Sequence, residues 1–221
     1  MNIIEALHSR RSVRAFQPDP VDKDTLLKIL QGANQAPSWG NSQPWEVFIA
    51  GGETLKRLRE AFLKRFEAGL PMQPDLPRPQ QWPPALQQRM AENAANRFAA
   101  MGLSPDDEAA KKAIARRNYE FFGAPVVAYL CLERSLTPWS IFDVGMFALG
   151  VMLAAQEFGV DSIPAVNLVA YPDLIRAELE IPENLLILLG LALGYADPEH
   201  PANKPRSVRR SIQEVVHFKG L

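Results

Sequence analysis

Apolar residues recur every three to four positions in several stretches of the chain and run almost unbroken in others. The first pattern is typical of amphipathic helices and predicts them over residues 2–9, 21–36, 53–66, 85–101, 105–122 and 170–181. Asp22 is the expected N-cap of the helix over 21–36. The second pattern predicts strands over 45–50, 125–133 and 184–196. The tail, 201–221, is expected to be extended, with a strand-like end at 214–218. Few strands among many helices indicate an α+β fold.

Residues 140–160 are apolar on nearly every side, so we expect a fully buried helix there. Small residues at 145, 148 and 150 would allow close packing, including packing against a second subunit. Asp143 and Glu157 confine the uncharged part to residues 144–156. That length falls well short of the ~20 residues that a membrane span needs, so no membrane association is expected.

Residues 69–122 differ from their surroundings because prolines crowd the stretch from 71 to 84 and exclude a regular element there. We interpret residues 1–221 as one domain with a Pro-rich, helical insert at about 69–122. The insert could be a lid over a site or a passive insertion, and the pattern does not decide between them.

Charge and cysteine content narrow the function classes. Twenty-four basic and 25 acidic residues give a net charge of -1, which argues against a general nucleic-acid binder. A lone cysteine, Cys131, excludes an intramolecular disulfide. Together with an N-terminus that lacks signal-peptide features, it predicts a reducing, cytoplasmic setting.

Several common kinds of site have no support in the sequence. It contains no glycine-rich dinucleotide motif, no P-loop lysine and no GxSxG serine elbow. His8, His200 and His217 are scattered, without carboxylates at metal-ligand spacing. We therefore expect neither a metal site nor serine-hydrolase chemistry.

Two segments carry positive signals. "SRRSVRAF" places Arg10, Arg11, Ser12 and Arg14 just after the first helix, where guanidinium groups and a hydroxyl could converge on a phosphate. A solvated basic helix end is the alternative. The tetrapeptide "RSVR" returns at 206–209. The loop "APSWGNSQPW", 36–45, sets donors and acceptors beside two tryptophans, which suits a flat heterocycle, although a capped turn before a strand would explain it equally.

Together, "RRSVRAF" and "APSWGNSQPWEVFI", with the later "GVDSIPA" and the tail "SIQEVVHF", resemble the FMN-dependent nitroreductase family. The resemblance spans residues 3–218. It implies an α+β nitroreductase-like fold, in which helices wrap a central, largely antiparallel sheet. It also implies an intertwined homodimer that holds FMN at the subunit interface.

The resemblance assigns site residues position by position. The expected FMN contacts are Arg10, Arg11, Ser12, Arg14, Pro37, Ser38, Trp39, Asn41, Gln43, Ile163, Pro164, Ala165, Val166, Arg206 and Arg209. Within this set, Arg14 would face flavin N1 and O2, and the 37–43 loop would come from the neighbouring subunit. A backbone N–H of Val166 or Asn167 would donate to flavin N5. Ser207 stands where the family has a lysine, so Lys204 or Arg206 would complete the phosphate site.

The implied activity is oxidation of NADH or NADPH, with reduction of nitroaromatic or quinone-type acceptors in a ping-pong cycle and no catalytic side chain. The aromatic residues Trp82, Phe98, Tyr119 and Phe122 are candidate walls of the substrate site, with core packing as the alternative for each. Other reactions on the same flavin scaffold stay open, namely ene reduction, dehalogenation and flavin reduction or destruction. A non-catalytic FMN-binding protein and a DNA-binding dimer are alternatives from other classes.

Overall fold

A four-stranded antiparallel sheet forms the centre of the protein, whose computed structural model describes residues 2–220. Its strands are β1 (Glu46–Gly51), β2 (Val126–Glu133), β3 (Asp161–Ala165) and β4 (Leu185–Gly194). They are ordered β1-β2-β4-β3, and every neighbouring pair is antiparallel. β2 and β4 are therefore the central strands, and their long apolar runs are largely buried.

Seven α-helices surround the sheet in the described part of the chain: α1 (Ile3–Ser9), α2 (Lys23–Ala33), α3 (Gly52–Glu67), α4 (Pro84–Ala100), α5 (Glu108–Tyr119), α6 (Pro138–Glu157) and α7 (Pro172–Leu179). Asp22 caps α2 as expected, since its carboxylate accepts from the Thr25 N–H at 2.8 Å. The α+β fold predicted from the sequence is confirmed.

The sheet separates two apolar layers. On one side, α3, α5 and α7 pack together around Phe62, Phe121 and Tyr171, whose rings meet edge to face. On the other side, α2 and α6 cover the sheet through Ile29 and Phe147. This three-layer arrangement puts the core on both faces of the central strands.

Helix α6 departs from the expectation that it is buried all round. Val144, Phe147 and Val151 are buried against α2 and the sheet, but Phe142 is 62% exposed and Leu149 is 41% exposed on the outer side. Within one chain α6 is therefore only partly buried, because apolar composition does not reveal whether the partner of each face lies in the same chain or in a second subunit. By length and composition alone, α6 is also apolar enough to cross a membrane, a test that core helices pass as well.

The prediction of a strand-like end to the tail is wrong. Residues 214–218 form no strand; the segment contains a 3-10 turn at Ile212–Glu214, closed by a capping box between Ser211 and Glu214. Apolar residues in a tail form a strand only beside a free sheet edge, and none in the described chain pairs with this segment. Conversely, β3 was not predicted as a strand, because Asp161, Ser162 and Pro164 have weak strand propensity. A proline is tolerated there since β3 is an edge strand.

The segment at 69–122 has two unlike halves. Residues 70–83 contain no regular element, as the prolines predict. Helix α5 packs on α3 and buries Tyr119, whereas α4 has no buried residue among those the structure describes. A 17-residue helix with no fully buried residue is a surface element, although Arg97 and Phe98 near its end are partly buried. Its role as a lid stays a prediction.

Candidate functional site

The N-terminal arginine segment lies along the outer edge of β3. Ser12 pairs with Ser162 in a parallel bridge, and the Val13 N–H donates to the Ser162 carbonyl at 3.1 Å. Val13 and Ala15 are buried, so the alternation of an extended chain turns Ser12 and Arg14 to the opposite side. Hydrophobic anchoring of alternate residues thus holds the polar ones at the edge of the sheet.

Asn203 fastens this segment to the C-terminal part of the chain. Its side-chain oxygen accepts from the N–H groups of Arg14 at 2.7 Å and Ala15 at 3.2 Å. Its amide nitrogen donates to the carbonyls of Ala15 at 2.7 Å and Asp197 at 2.8 Å. The Arg11 guanidinium donates to the Asn203 carbonyl at 2.8 Å. Asn203 was not predicted from the sequence, because nothing in its local sequence marks a buried amide.

Both "RSVR" segments lie close to the contact between Asn203 and the N-terminal arginine segment. Arg206 donates to the Ser9 carbonyl at 3.4 Å, so it lies beside Arg10, Arg11 and Ser12. Arg209 is further along the tail, exposed, with its guanidinium turned to the Ser207 and Val208 carbonyls. The structure therefore brings both chain ends together, with Arg206 nearer than Arg209 to the N-terminal arginines.

Backbone donors become available where β3 ends. Ile163 is buried, Pro164 and Ala165 are partly buried, and Val166 is exposed at the start of a 3-10 turn spanning Val166–Val169. The first N–H groups of a helical turn have no acceptor within it, so those of Val166 and Asn167 are free to bind another group. These are the two donors between which the sequence analysis left the flavin N5 contact open.

The Val166–Val169 turn lies close to β4 because the residue of β4 beneath it is a glycine. Leu168 is fully buried and packs directly over Gly190, where an added Cβ would lie 2.4 Å from the Leu168 Cβ. The absence of a side chain at 190 thus determines how close the Val166–Val169 turn comes to the sheet.

The loop 37–43 is held by polar contacts at the start of α6. The buried Asp143 carboxylate accepts from the Trp39 N–H at 3.1 Å, and the Ser38 hydroxyl accepts from the Gln43 N–H at 2.9 Å. Asn41 and Gln43 have φ values of 57° and 47°, which are uncommon for residues other than glycine. The loop is therefore a fixed, locally strained feature.

This loop does not meet the arginine segment within one chain. It leads into β1, whereas Arg10–Arg14 runs beside β3 at the opposite edge of the sheet. Pro37, Ser38 and Trp39 line a separate hollow of about 380 Å³ with α6, where Trp39 meets Trp139 edge to face at 5.9 Å. The candidate cofactor residues thus form two groups on the surface of one chain.

A cavity of about 320 Å³ lies between α4, α5 and the arginine segment. Arg14, Arg97 and Arg117 line it together with apolar residues that include Phe122. Burial, and secondarily the charge of Arg97, lowers the pKa of Arg14 to about 10. Burial also lowers the pKa of Arg97 and of Arg117. Arg97 and Arg117 were not predicted from the sequence, since isolated arginines on predicted helices resemble solvated ones.

The four candidate substrate walls are dispersed. Phe122 lines the arginine cavity and, like Phe121, has a positive φ, at 58°. Trp82 lies in a groove between α4 and the tail that Arg209 also lines. Phe98 is half-buried on α4. Tyr119 stacks on Phe66 in the core, and it is not among the described residues that line the arginine cavity.

Comparison with known proteins places this arrangement in a family. The model of the nitroreductase family matches residues 7–195. The chain belongs to the nitroreductase family. Over 217 residues it is 34% identical to nitroreductase NfnB of Mycolicibacterium smegmatis, covering 96% of this chain and 90% of the relative. It is 30% identical over 213 residues to 4-nitrobenzoate reductase of Pseudomonas putida, covering 96% and 93%.

Solved structures of nitroreductases share the fold in detail. The FMN and NADPH-dependent nitroreductase NfnB from Sphigopyxis sp. strain HMH superposes with a TM-score of 0.95 at 34% identity, covering all of both chains. The FMN-dependent NfnB from Mycobacterium smegmatis, in complex with NADPH, gives a TM-score of 0.91 at 32% identity, covering 99% of this chain and 100% of the other. The nitroreductase fold expected from the sequence motifs is confirmed. Between residues 2 and 220, no cluster of His, Cys, Asp and Glu could hold a metal ion.

Proposed function

We propose that this chain is an FMN-dependent oxidoreductase that uses a nicotinamide dinucleotide to reduce nitroaromatic compounds. The observation that carries the proposal is the meeting of the two basic chain ends next to the free backbone donors at the end of β3. The names of NfnB and 4-nitrobenzoate reductase support the same reaction class. NADPH is the donor that we propose, because two similar structures are of an NADPH-dependent NfnB and of an NfnB in complex with NADPH.

The residues present fit FMN chemically. Arg10, Arg11, Ser12 and Arg206 would hold the phosphate through charge-assisted hydrogen bonds, with Arg209 reaching it from the tail. The segment Ile163–Val166 would pass the flavin ring and supply an N–H from Val166 or Asn167. Arg14 would oppose negative charge at N1 and O2. The residue set matches a ligand with a dianionic end and a planar polar end.

Bound FMN would supply hydride transfer between the nicotinamide and the acceptor. The protein would contribute orientation and electrostatics, and no side chain is assigned as a general acid or base. Reduction of a nitro group by one NADPH and one proton gives a nitroso group, water and NADP⁺. Because donor and acceptor would use the same open face, we propose that they bind in turn, in a ping-pong cycle that also accepts quinones.

A homodimer completes the site in this proposal. The loop 37–43 lies at the opposite sheet edge from Arg10–Arg14, so it reaches the same flavin only from a second subunit. Large apolar side chains are exposed on α1, on α6 and along the tail, namely Ile3, Ile4, Leu7, Trp139, Phe142, Leu149, Val208, Ile212, Val215 and Phe218. Exposed apolar surface on this scale favours a subunit interface.

The first experiment is the visible spectrum of the purified protein with added FMN, before and after anaerobic NADPH. We expect a flavin spectrum that bleaches with NADPH and returns when a nitroaromatic is added. Initial rates at several concentrations of both substrates should give parallel double-reciprocal lines. A protein that neither binds nor reduces FMN would contradict the proposal, and intersecting lines would contradict only the ping-pong part.

The phosphate site has a separate test. Each of the substitutions Arg10→Ala and Arg209→Ala removes a charge-assisted hydrogen bond to the phosphate. We therefore expect each variant to bind FMN about tenfold to a hundredfold more weakly. Fluorescence titration of the apoprotein with FMN measures this change. Lys28→Ala, on the exposed side of α2, is the control. Unchanged affinity in both arginine variants would refute the assignment of these residues to the phosphate.

A further inference from the structure

We propose that the cavity between α4, α5 and the arginine segment binds the carboxylate of a single-ring aromatic acid, with Arg97 as the residue that selects it. The inference deepens the proposed function and rests on it, because it makes aromatic carboxylates the preferred acceptors. No assignment in the sequence analysis involved Arg97.

Three guanidinium groups meet at this cavity, and no carboxylate is among its described lining residues. Arg117 is engaged, donating twice to the Arg14 carbonyl at 3.0 and 3.2 Å, and Asp197 offsets part of its charge. Arg14 donates to the Ser12 carbonyl at 3.1 Å. Each of these two side chains therefore has at least one partner.

Arg97 has none. Within residues 2–220 its side chain forms no hydrogen bond or ion pair, and its Nε atom is buried. A buried charged donor without a partner loses the hydrogen bonds it makes to water and gains none in return. Burial opposes the charged forms of both Arg14 and Arg97, and the charge of Arg97 further lowers the pKa of Arg14. An anion between the two would satisfy the orphaned donor and relieve the repulsion.

The remainder of the cavity is mostly apolar, with Asn118 and His200 as its other polar residues, and it selects the body of the ligand. Met101, Leu103, Ile114 and Phe122 line it. Its volume of about 320 Å³ is at the lower end of the roughly 300–1,000 Å³ of small-molecule sites. That space admits one ring, while a dinucleotide is too large, and inorganic phosphate would leave the apolar wall unfilled. A planar carboxylate also matches the guanidinium fork, which binds two oxygens at once.

The position suits an acceptor. Arg14 lines the cavity and is also the residue proposed to face flavin N1 and O2, so a ring bound here lies beside the proposed flavin site. Two relatives, at 30% and 27% identity, are named 4-nitrobenzoate reductases, which supports aromatic carboxylates as a substrate class.

The kinetic test compares 4-nitrobenzoate with its neutral isostere 4-nitrobenzamide on the holoenzyme. In Arg97→Gln we expect the KM for 4-nitrobenzoate to rise about tenfold to a hundredfold, with the KM for 4-nitrobenzamide changed by less than about twofold. Arg97→Lys should restore part of the loss. Arg89→Gln, two turns earlier on α4, is the matched control. An equal loss for both acceptors, or no loss for either, would overturn the proposal.

A binding test needs no turnover. Calorimetry should show benzoate binding to the wild-type holoprotein, with benzamide weaker and with binding of benzoate reduced in Arg97→Gln. Benzoate that binds the apoprotein and is displaced by FMN would overturn the proposal and assign the arginines to the flavin. Failure of the proposed function is distinguishable, since it appears as loss of FMN binding or of NADPH-driven bleaching before any acceptor is added.

Discussion

Asn203 joins the two ends of the chain through a single buried amide. It is 3% exposed and makes four side-chain hydrogen bonds, to the backbone of Arg14, Ala15 and Asp197. Both its donor and its acceptor atoms are used, so neither a carboxylate nor an alkyl group can replace it. This residue determines where Arg14 lies, although it touches no candidate ligand.

Asn203→Ala should therefore lower the free energy of unfolding by about 2–4 kcal/mol, because it leaves several buried backbone groups without partners. FMN affinity should fall with it, since the arginine segment loses its attachment. Denaturant titration and FMN titration measure the two effects. Asn96→Ala, exposed on α4, is the control; similar losses in both variants would show that the amide is not special.

A second single residue, Cys131, makes the stability of the protein depend on pH. Its thiol is fully buried, and burial raises its pKa from 9.0 to about 12. Between these values the folded thiol keeps its proton while the unfolded one loses it, so stability falls as pH rises. As the pH rises from about 9 towards 12, Cys131→Ala should lose less stability than wild type, measured by denaturant unfolding. An equal decline in both proteins would contradict the raised pKa.

Sequence motifs predict Arg10, Ser12 and Arg206 as FMN contacts, because these types stand at spacings that a known family shares. Asn203 and Arg97 were not predicted. Their importance comes from burial beside residues that are distant in sequence, and no local pattern encodes that. Tyr119 was a candidate wall only because an aromatic residue in a helix looks the same whether it faces a cavity or the core.

At the scale of elements, amphipathic helices such as α2 and α3 and the buried strands β2 and β4 could be predicted, since each presents its own periodicity. β3 could not, because an edge strand with Asp161 and Pro164 lacks that pattern. The tail and the outer face of α6 share one difficulty: apolar residues indicate that a partner exists, but not where it is.

The contact between the Val166–Val169 turn and β4 leads to an element-level prediction. Gly190→Ala would place a Cβ 2.4 Å from the Leu168 Cβ, so the turn must move away from the sheet. We expect a loss of about 1–3 kcal/mol in stability and weaker FMN binding, because the Val166 and Asn167 N–H groups move too. Thermal unfolding and FMN titration test this. Gly51→Ala, where an added Cβ makes only ordinary contacts at 3.6 and 3.8 Å, is the control and should change stability less and leave FMN binding unchanged.

At the scale of the whole molecule, the exposed apolar face of α6 is the sharpest test of the homodimer. Phe142→Glu places a charge on that face without touching the core, since Phe142 is 62% exposed. We expect monomers by light scattering coupled to gel filtration, together with loss of FMN, since the loop 37–43 would no longer reach the second site. Leu70→Glu, on an exposed residue after α3, is the control and should stay dimeric. A dimer that survives Phe142→Glu would exclude this face from the interface.

The attachment of Arg14 to Asn203 also fixes when the site can exist during synthesis. The two residues are 189 positions apart, and a ribosome adds about 5–20 residues per second. Roughly ten to forty seconds therefore pass between synthesis of the N-terminal arginines and synthesis of Asn203, whose amide positions them. Cofactor capture must follow completion of almost the entire polypeptide, so flavin cannot guide the early folding of its own binding protein.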